Sequence, residues 1–343
     1  MMKAISSVAV KIVIAVILLS GANVAFAAEA ERGAIIGGAI HAAPSWFKES
    51  FLEIAEDVAE ASEEGKHVIL FFQLNGCPYC DRMLSESFEA ESMTEYVQAN
   101  FDSISINVRG DREIAFNDEI SVAEKELSEI LKVRATPAIL FLDENNKTVV
   151  RVNGYRAPQR FRKILEYVAT KSYQTTALAD YLDAGLDKSI YQLRPNALFS
   201  EVSDLSSVEG PLMVIFEDGS CYDCDEFHDG ILAHPLVRKE IEPFTIVRLD
   251  AASDDPIVDV DGAKTTPRKM AERYQVFYRP SVLAFDGGEL IRRTDSLAYP
   301  HHFKESMRFV AGGFHRNQDY DSYSAERTEE LLSQGVTIDL GRP

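Results

Sequence analysis

Apolar and polar positions along the chain fall into a series of patterns that occurs twice. Residues 68–72 (VILFF) and 212–216 (LMVIF) are continuous apolar runs. Such runs predict parallel strands covered on both faces, because a strand with one wet face alternates instead. Ahead of the first, Phe47, Phe51, Ile54 and Val58 mark an apolar stripe at helical spacing. Each run is followed by a turn, Asn75-Gly76 or Asp218-Gly219, and then by a Cys-x-x-Cys sequence that opens a helix. Pro78 suits the first helical position, where its missing N–H is not needed. A second strand is predicted over 103–108 and 245–249, followed by a polar excursion and a helix ending near Val133 or Val276. Ser121 with Glu124 reads as a capping box for the first of these helices, and Thr266-Pro267 as N-cap and N1 of the second. Pro137 and Pro280 then precede strands over 138–142 and 281–285, hairpins at 144–147 and 286–288, and closing helices near 161–168 and 303–310. The order predicts an α/β fold with a mixed central sheet flanked by helices in each unit.

The chain is therefore a tandem repeat. Cys77 and Cys221 are 144 positions apart and Pro137 and Pro280 are 143 apart; residues 118–137 register on 261–280 without a gap, pairing Leu127 with Met270. Pro158, Phe161 and Val168 match Pro300, Phe303 and Val310 at a spacing of 142. In the tails, Ser172-Tyr173, Leu182 and Gly185 are aligned with Ser322-Tyr323, Leu332 and Gly335. The expected organisation is a signal peptide over 1–27, a linker over 28–43, and domains over 44–190 and 191–343. The leader reading rests on Lys3 and Lys11, the apolar stretch 12–19, and the small-x-small sequence Ala25-Phe26-Ala27. That apolar stretch is too short for a membrane span of about 20 residues.

Charge and composition narrow the function. With 55 acidic and 35 basic residues the net charge is −20, which argues against nucleic acid as a partner. Only four cysteines occur, and all fall in the pairs Cys77/Cys80 and Cys221/Cys224. A cleaved leader places such pairs where disulfides form and exchange, so the expected location is the periplasm.

Cysteine at a helix N-terminus meets free N–H groups and partial positive charge, which stabilise a thiolate. Cys77 and Cys221 are the expected nucleophiles, and Cys80 and Cys224, one turn on, the resolving residues. A shared zinc site is the competing reading, but the pairs lie in separate complete units, far beyond the usual knuckle spacing. The pairs also read as inert staples, although so short a loop constrains the unfolded chain little. His228, His301 and His302 lack partners at ligand spacing, so no metal and no cofactor beyond the cysteine pairs is expected.

These residues resemble the thioredoxin superfamily, over nearly the whole chain and twice. The resemblance implies that Thr136-Pro137 and Arg279-Pro280 have cis peptide bonds, lie against the cysteines and bind substrate, with Tyr79 and Tyr222 at the rim. More narrowly, FFQLNGCPYC ending at Cys80, INVRGDR over 106–112 and EKEL over 124–127 resemble periplasmic thioredoxins of the SoxW type. That likeness implies a role in sulfur oxidation and reduction by a membrane electron carrier of the DsbD or CcdA kind. The chain departs from it in being duplicated. It also carries Phe71 and Ile215 six residues before the first cysteines, where thioredoxins have a buried acid, and Glu217 is a candidate substitute in the second site.

The sites differ in charge. Cys77-Pro-Tyr-Cys80 has nearly neutral surroundings, whereas Cys221-Tyr-Asp-Cys224 sits among Glu217, Asp218, Asp223, Asp225 and Glu226. Those carboxylates are expected to raise the Cys221 pKa, and Arg279, placed beside Cys221, to offset them. The reading is a thiol–disulfide reductase of secreted or sulfur-oxidation proteins. Its alternatives are a disulfide isomerase or oxidase, or a binding module whose second domain is redox-inactive.

Overall fold

The computed structural model describes residues 31–38, 42–295 and 297–341, so the leader read over 1–27 lies outside the described residues. After a short strand β1 (Ile35–Ile36), the first domain runs α1 (Ile54–Glu63), β2 (His67–Gln73), α2 (Pro78–Met83), α3 (Glu91–Asn100) and β3 (Phe101–Asn107). It continues with β4 (Glu113–Asn117), β5 (Ile120–Ala123), α4 (Glu124–Ile130), β6 (Ala138–Leu142), β7 (Thr148–Asn153), α5 (Pro158–Ala169) and α6 (Leu178–Ala184). The second domain repeats the plan with β8 (Leu212–Glu217), α7 (Cys224–Glu226), α8 (Pro235–Ile241), β9 (Thr245–Asp250), β10 (Ile257–Val258) and β11 (Lys264–Thr265). It closes with α9 (Pro267–Arg273), β12 (Ser281–Asp286), β13 (Glu289–Thr294), α10 (Pro300–Ala311), α11 (Tyr320–Ser333) and β14 (Ile338–Asp339).

Each domain has a four-stranded mixed sheet, in the orders β3-β2-β6-β7 and β9-β8-β12-β13. β2 pairs parallel with β3 and antiparallel with β6, and β8 does the same with β9 and β12. The apolar runs are continuous because β2 is buried on both faces. Ile69 and Phe71 pack with Phe88 and Phe161 on one side, while Val68, Leu70 and Phe72 pack with Ile54, Val58 and Leu127 on the other. In β8, Met213 and Ile215 face Phe227 and Phe303, and Leu212, Val214 and Phe216 face Met270.

Four expectations are corrected. The first helix begins at Ile54, and Phe51 is fully exposed: Leu52 takes a positive φ of 65°, and the Ser50 hydroxyl accepts from Leu52 N–H, which stops the helix from extending back. Ser121 lies in β5 and donates to Glu113; the N-cap of α4 is Ala123, whose N–H is held by Glu126. The polar excursions fold into hairpins, β4/β5 and β10/β11. The tails correspond at the spacing of 142 that relates α5 to α10: Lys171 and Gly313 both have positive φ, and each precedes a short 3₁₀ turn, Ser172–Gln174 or Phe314–Arg316. The repeated Ser-Tyr pair is thus coincidental. Part of the stretch read as a linker also has a partner, since β1 pairs with β14.

Trp46, the only tryptophan, sits edge-on to Phe47 and stacked on Phe88, which is fully buried against Phe71 and Phe161. Its fluorescence therefore reports unfolding of the first domain. Phe88→Ala should lower that domain's stability by about 3–5 kcal/mol, read as an earlier urea midpoint of the Trp46 signal.

Candidate active sites

The first site is assembled by three elements. Buried β2 ends at Gln73, the turn through Gly76 (φ 82°) reverses the chain, and Cys77 becomes the N-cap of α2 with Pro78 in its first turn. Cys77 and Cys80 form a disulfide with Cα atoms 5.3 Å apart. Cys77 Sγ accepts the Cys80 N–H at 3.1 Å and the Thr136 hydroxyl at 3.3 Å. Thr136-Pro137 is cis, as the resemblance implies, and it brings that hydroxyl against the sulfur from the loop ahead of β6. Two donors therefore converge on the outer sulfur, where a thiolate would form on reduction.

The second site keeps the topology and changes the chemistry. Cys221 and Cys224 are disulfide-bonded and Arg279-Pro280 is cis. Asp223 has φ −104° and ψ 3°, and α7 starts only at Cys224, so Cys221 lies in the preceding turn rather than at the helix cap. Tyr191, from the segment before the domain's first strand, packs on the disulfide and donates to Glu217 at 3.2 Å.

The expected cloud of bare carboxylates is corrected. Glu217 is wholly buried 2.6 Å from His228 Nε2. Asp218 receives Arg279 Nε at 2.8 Å, Asp225 pairs with Arg194, and Glu226 pairs with Arg82. Burial works against the Asp218 carboxylate, but Arg279 and the Ser220 donors outweigh it and hold its pKa below the usual range. Arg279 is thereby paired with a carboxylate rather than left free to offset charge on Cys221, and it also donates to the carbonyls of Val276 and Tyr278. Asp223 stands apart. Burial pushes its carboxyl up to about 6, Arg82 and Arg156 opposing and Glu226 and Glu86 adding to the shift.

The two sites are docked on each other. Tyr79, between the first cysteines, stacks on Tyr299 at 4.5 Å, and its oxygen accepts the Tyr299 N–H at 2.8 Å. Burial lowers the His302 pKa to about 4, and its Nδ1 lies within hydrogen-bond distance of the Tyr79 hydroxyl, at 2.8 Å. Tyr79 is thus an interface residue here, not part of an open rim, while Tyr222 is 39% exposed. Arg82 forms a bidentate pair with Glu226 at 3.1 and 2.9 Å. These two residues are equivalent in the repeats, each two positions beyond its second cysteine, so the pair lies where a pseudo-twofold would relate the domains. Reciprocally, Asp223, equivalent to Tyr79, lines a cleft with Tyr155, Arg156 and Ala157 of the first domain. Cys77, Cys80, Cys221 and Cys224 are all buried, at 7%, 2%, 2% and 0% exposure.

A thioredoxin-like domain model matches residues 54–169 and again 200–311. The chain belongs to the thioredoxin-like domain family. With a cysteine pair at the expected place in each domain, it is a thiol–disulfide oxidoreductase. A thioredoxin-fold protein from Helicobacter pylori is 25% identical over 40% of this chain and 94% of its own, with a TM-score of 0.32. A thioredoxin from Thermus thermophilus is 25% identical over 38% and 90%, at 0.29. The oxidised C-terminal domain of DsbD from Neisseria meningitidis is 16% identical over 37% and 98%, at 0.26. No curated protein matches the chain. Among the described residues no group of three or more His, Cys, Asp or Glu is placed to hold a metal ion.

Sequence reasoning missed Tyr155, Arg156, Tyr191 and Tyr299. The signal for Tyr299 was available, since it precedes Pro300 as Ala157 precedes Pro158 and so marks the same loop.

Asp223 generates a pH prediction. Its folded pKa lies above the ordinary aspartate value, so the folded state loses stability as pH rises from about 4 through 6 and carries the full cost above that. Asp223→Asn should raise stability at pH 7.5 by about 1–3 kcal/mol and leave it nearly unchanged at pH 4, measured as denaturant midpoints at both pH values.

Proposed function

We propose that the chain is a periplasmic thiol–disulfide reductase in which Cys77 attacks the substrate disulfide. The observation that carries this reading is the pair of donors, Cys80 N–H and the Thr136 hydroxyl, aimed at Cys77 Sγ. Once the pair is reduced, these donors favour the Cys77 thiolate, which attacks a substrate sulfur to give a mixed disulfide. Cys80, one turn on, then attacks Cys77 Sγ, releases the second substrate thiolate and restores the protein disulfide. The leader pattern over 1–27 supports the location. The SoxW-type motifs support a place in sulfur oxidation, with electrons supplied by a membrane carrier of the DsbD or CcdA kind.

One observation favours a narrower role for the second domain. Cys221 is not at a helix cap, and Tyr191 covers its disulfide. Its thiolate is therefore less favoured, and this pair exchanges more slowly with protein substrates.

Cys80→Ser in the full chain should accumulate a mixed disulfide with a reducible protein substrate such as insulin, whereas Cys77→Ser should not. Non-reducing gels and mass spectrometry read the adduct; equal trapping by both variants would contradict the assignment of Cys77 as nucleophile. Alkylation of the reduced chain at pH 6 should modify Cys77 before Cys221, followed by peptide mapping.

A further inference from the structure

The cleft between the domains, beside the Cys221–Cys224 pair, is lined by Arg156, Arg160, Ser220, Tyr222, Asp223 and Arg279. Three arginines around one cleft are unexpected in a chain with a net charge of −20. Only Arg279 has a carboxylate partner, Asp218. Among the described residues Arg156 and Arg160 have no ion pair.

Arg156 is 4% exposed and lies flat over the Tyr278 ring at 3.6 Å. One of its terminal nitrogens donates to the Tyr155 carbonyl, and its buried Nε has no hydrogen-bond partner. Arg160 reaches the same ring at 5.7 Å and donates to the Phe277 carbonyl. Burial, and the nearby Arg279 charge, lower its pKa, although Tyr278, Asp183 and Asp218 favour the cation. A buried guanidinium without a counter-charge is costly, and an unpaired buried donor adds to that cost. Two carboxylates line the cleft: Asp295, which is engaged by Arg293 and the Ser281 hydroxyl, and Asp223, whose burial disfavours its charge. The cleft thus leaves Arg156 and Arg160 without a paired counter-charge, although carboxylates engaged or disfavoured elsewhere line it.

We infer that this cleft is an oxyanion subsite of the second redox centre, where Arg156 and Arg160 hold the carboxylate or sulfonate group of a small disulfide. Ser220 and Tyr222, which flank Cys221, line the same cleft, so an anionic end anchored there lies next to the turn that carries Cys221. The sulfur chemistry rests on reading Cys221 and Cys224 as a redox pair; the anion subsite rests on the arginines alone. In the reduced protein, the Cys221 thiolate attacks one sulfur of R–S–S–R and R–S⁻ leaves. Cys224 thiolate then attacks Cys221 Sγ and expels the second R–S⁻, and both leaving groups take protons from water. The protein dithiol is oxidised to its disulfide and the ligand is reduced to two thiols.

The test separates binding from exchange. Fully oxidised full-length protein, which has no thiol to react, is titrated calorimetrically with dithiodiglycolate, with neutral bis(2-hydroxyethyl) disulfide and with sodium sulfate. Dithiodiglycolate should bind more tightly than the neutral disulfide by about tenfold or more, and Arg156→Gln or Arg160→Gln should each weaken it to a similar degree. Asp223→Asn should tighten binding, a gain that misfolding does not produce. Equal affinity for the charged and neutral disulfides, or affinity unchanged in Arg160→Gln and Asp223→Asn, would overturn the subsite. Sulfate binding as tightly as dithiodiglycolate would overturn the assignment to a disulfide. A reduced Cys77→Ser/Cys80→Ser chain should release two equivalents of thioglycolate from dithiodiglycolate. Binding without release would overturn the redox reading of the second pair while leaving the anion subsite in place.

Discussion

Arg82 and Glu226 hold together the two faces on which the chemistry depends. The pair is bidentate, Arg82 is 7% exposed, and a second carboxylate, Glu86, accepts from its Nε. Removing Glu226 takes one of two carboxylates from a buried guanidinium, while Glu226 itself keeps about a third of its side chain in water, so Arg82 is the partner with more to lose. Around it, Tyr79 docks on the first turn of α10 and Asp223 on the loop that carries Tyr155 and Arg156. Each domain thus covers the other's cysteine face in a quasi-symmetric contact, and a protein disulfide reaches Cys77 only when the domains part. Contacts between domains of one chain are ordinarily polar and mobile enough to allow this.

Symmetry of position hides an asymmetry of chemistry. In the first site the N-cap geometry of Cys77 and the Thr136 hydroxyl both serve the outer sulfur. In the second, the corresponding resources are directed elsewhere. The helix starts two residues later, Arg279 is spent on Asp218, and Glu217 is bound to His228 and Tyr191. Donors that stabilise a thiolate stabilise the reduced state, so the first pair is the better electron acceptor of the two.

Much of this was legible in the sequence because burial writes a strong pattern. The apolar runs at Val68 and Leu212, the cysteine pairs, the prolines before β6 and β12 and the spacing of 142 to 144 residues give the duplicated fold. Side-chain pairing was not legible. The acids around Cys221 count as a negative cluster in one dimension, yet Arg82, Arg194 and Arg279 approach them from remote positions. Nor does the composition of CPYC reveal that its tyrosine is satisfied by the other domain. Phe51 fits the helical stripe by spacing alone, but the turn held by Ser50 excludes it.

The central claim is that hydrogen bonding, not fold, sets the two centres apart. Its most direct test is the equilibrium reduction potential of each pair in the intact chain, obtained by poising the protein in dithiothreitol buffers and quantifying alkylated peptides. Cys77/Cys80 should be reduced at a less negative potential than Cys221/Cys224. Coincident potentials, or the reverse order, would contradict the account.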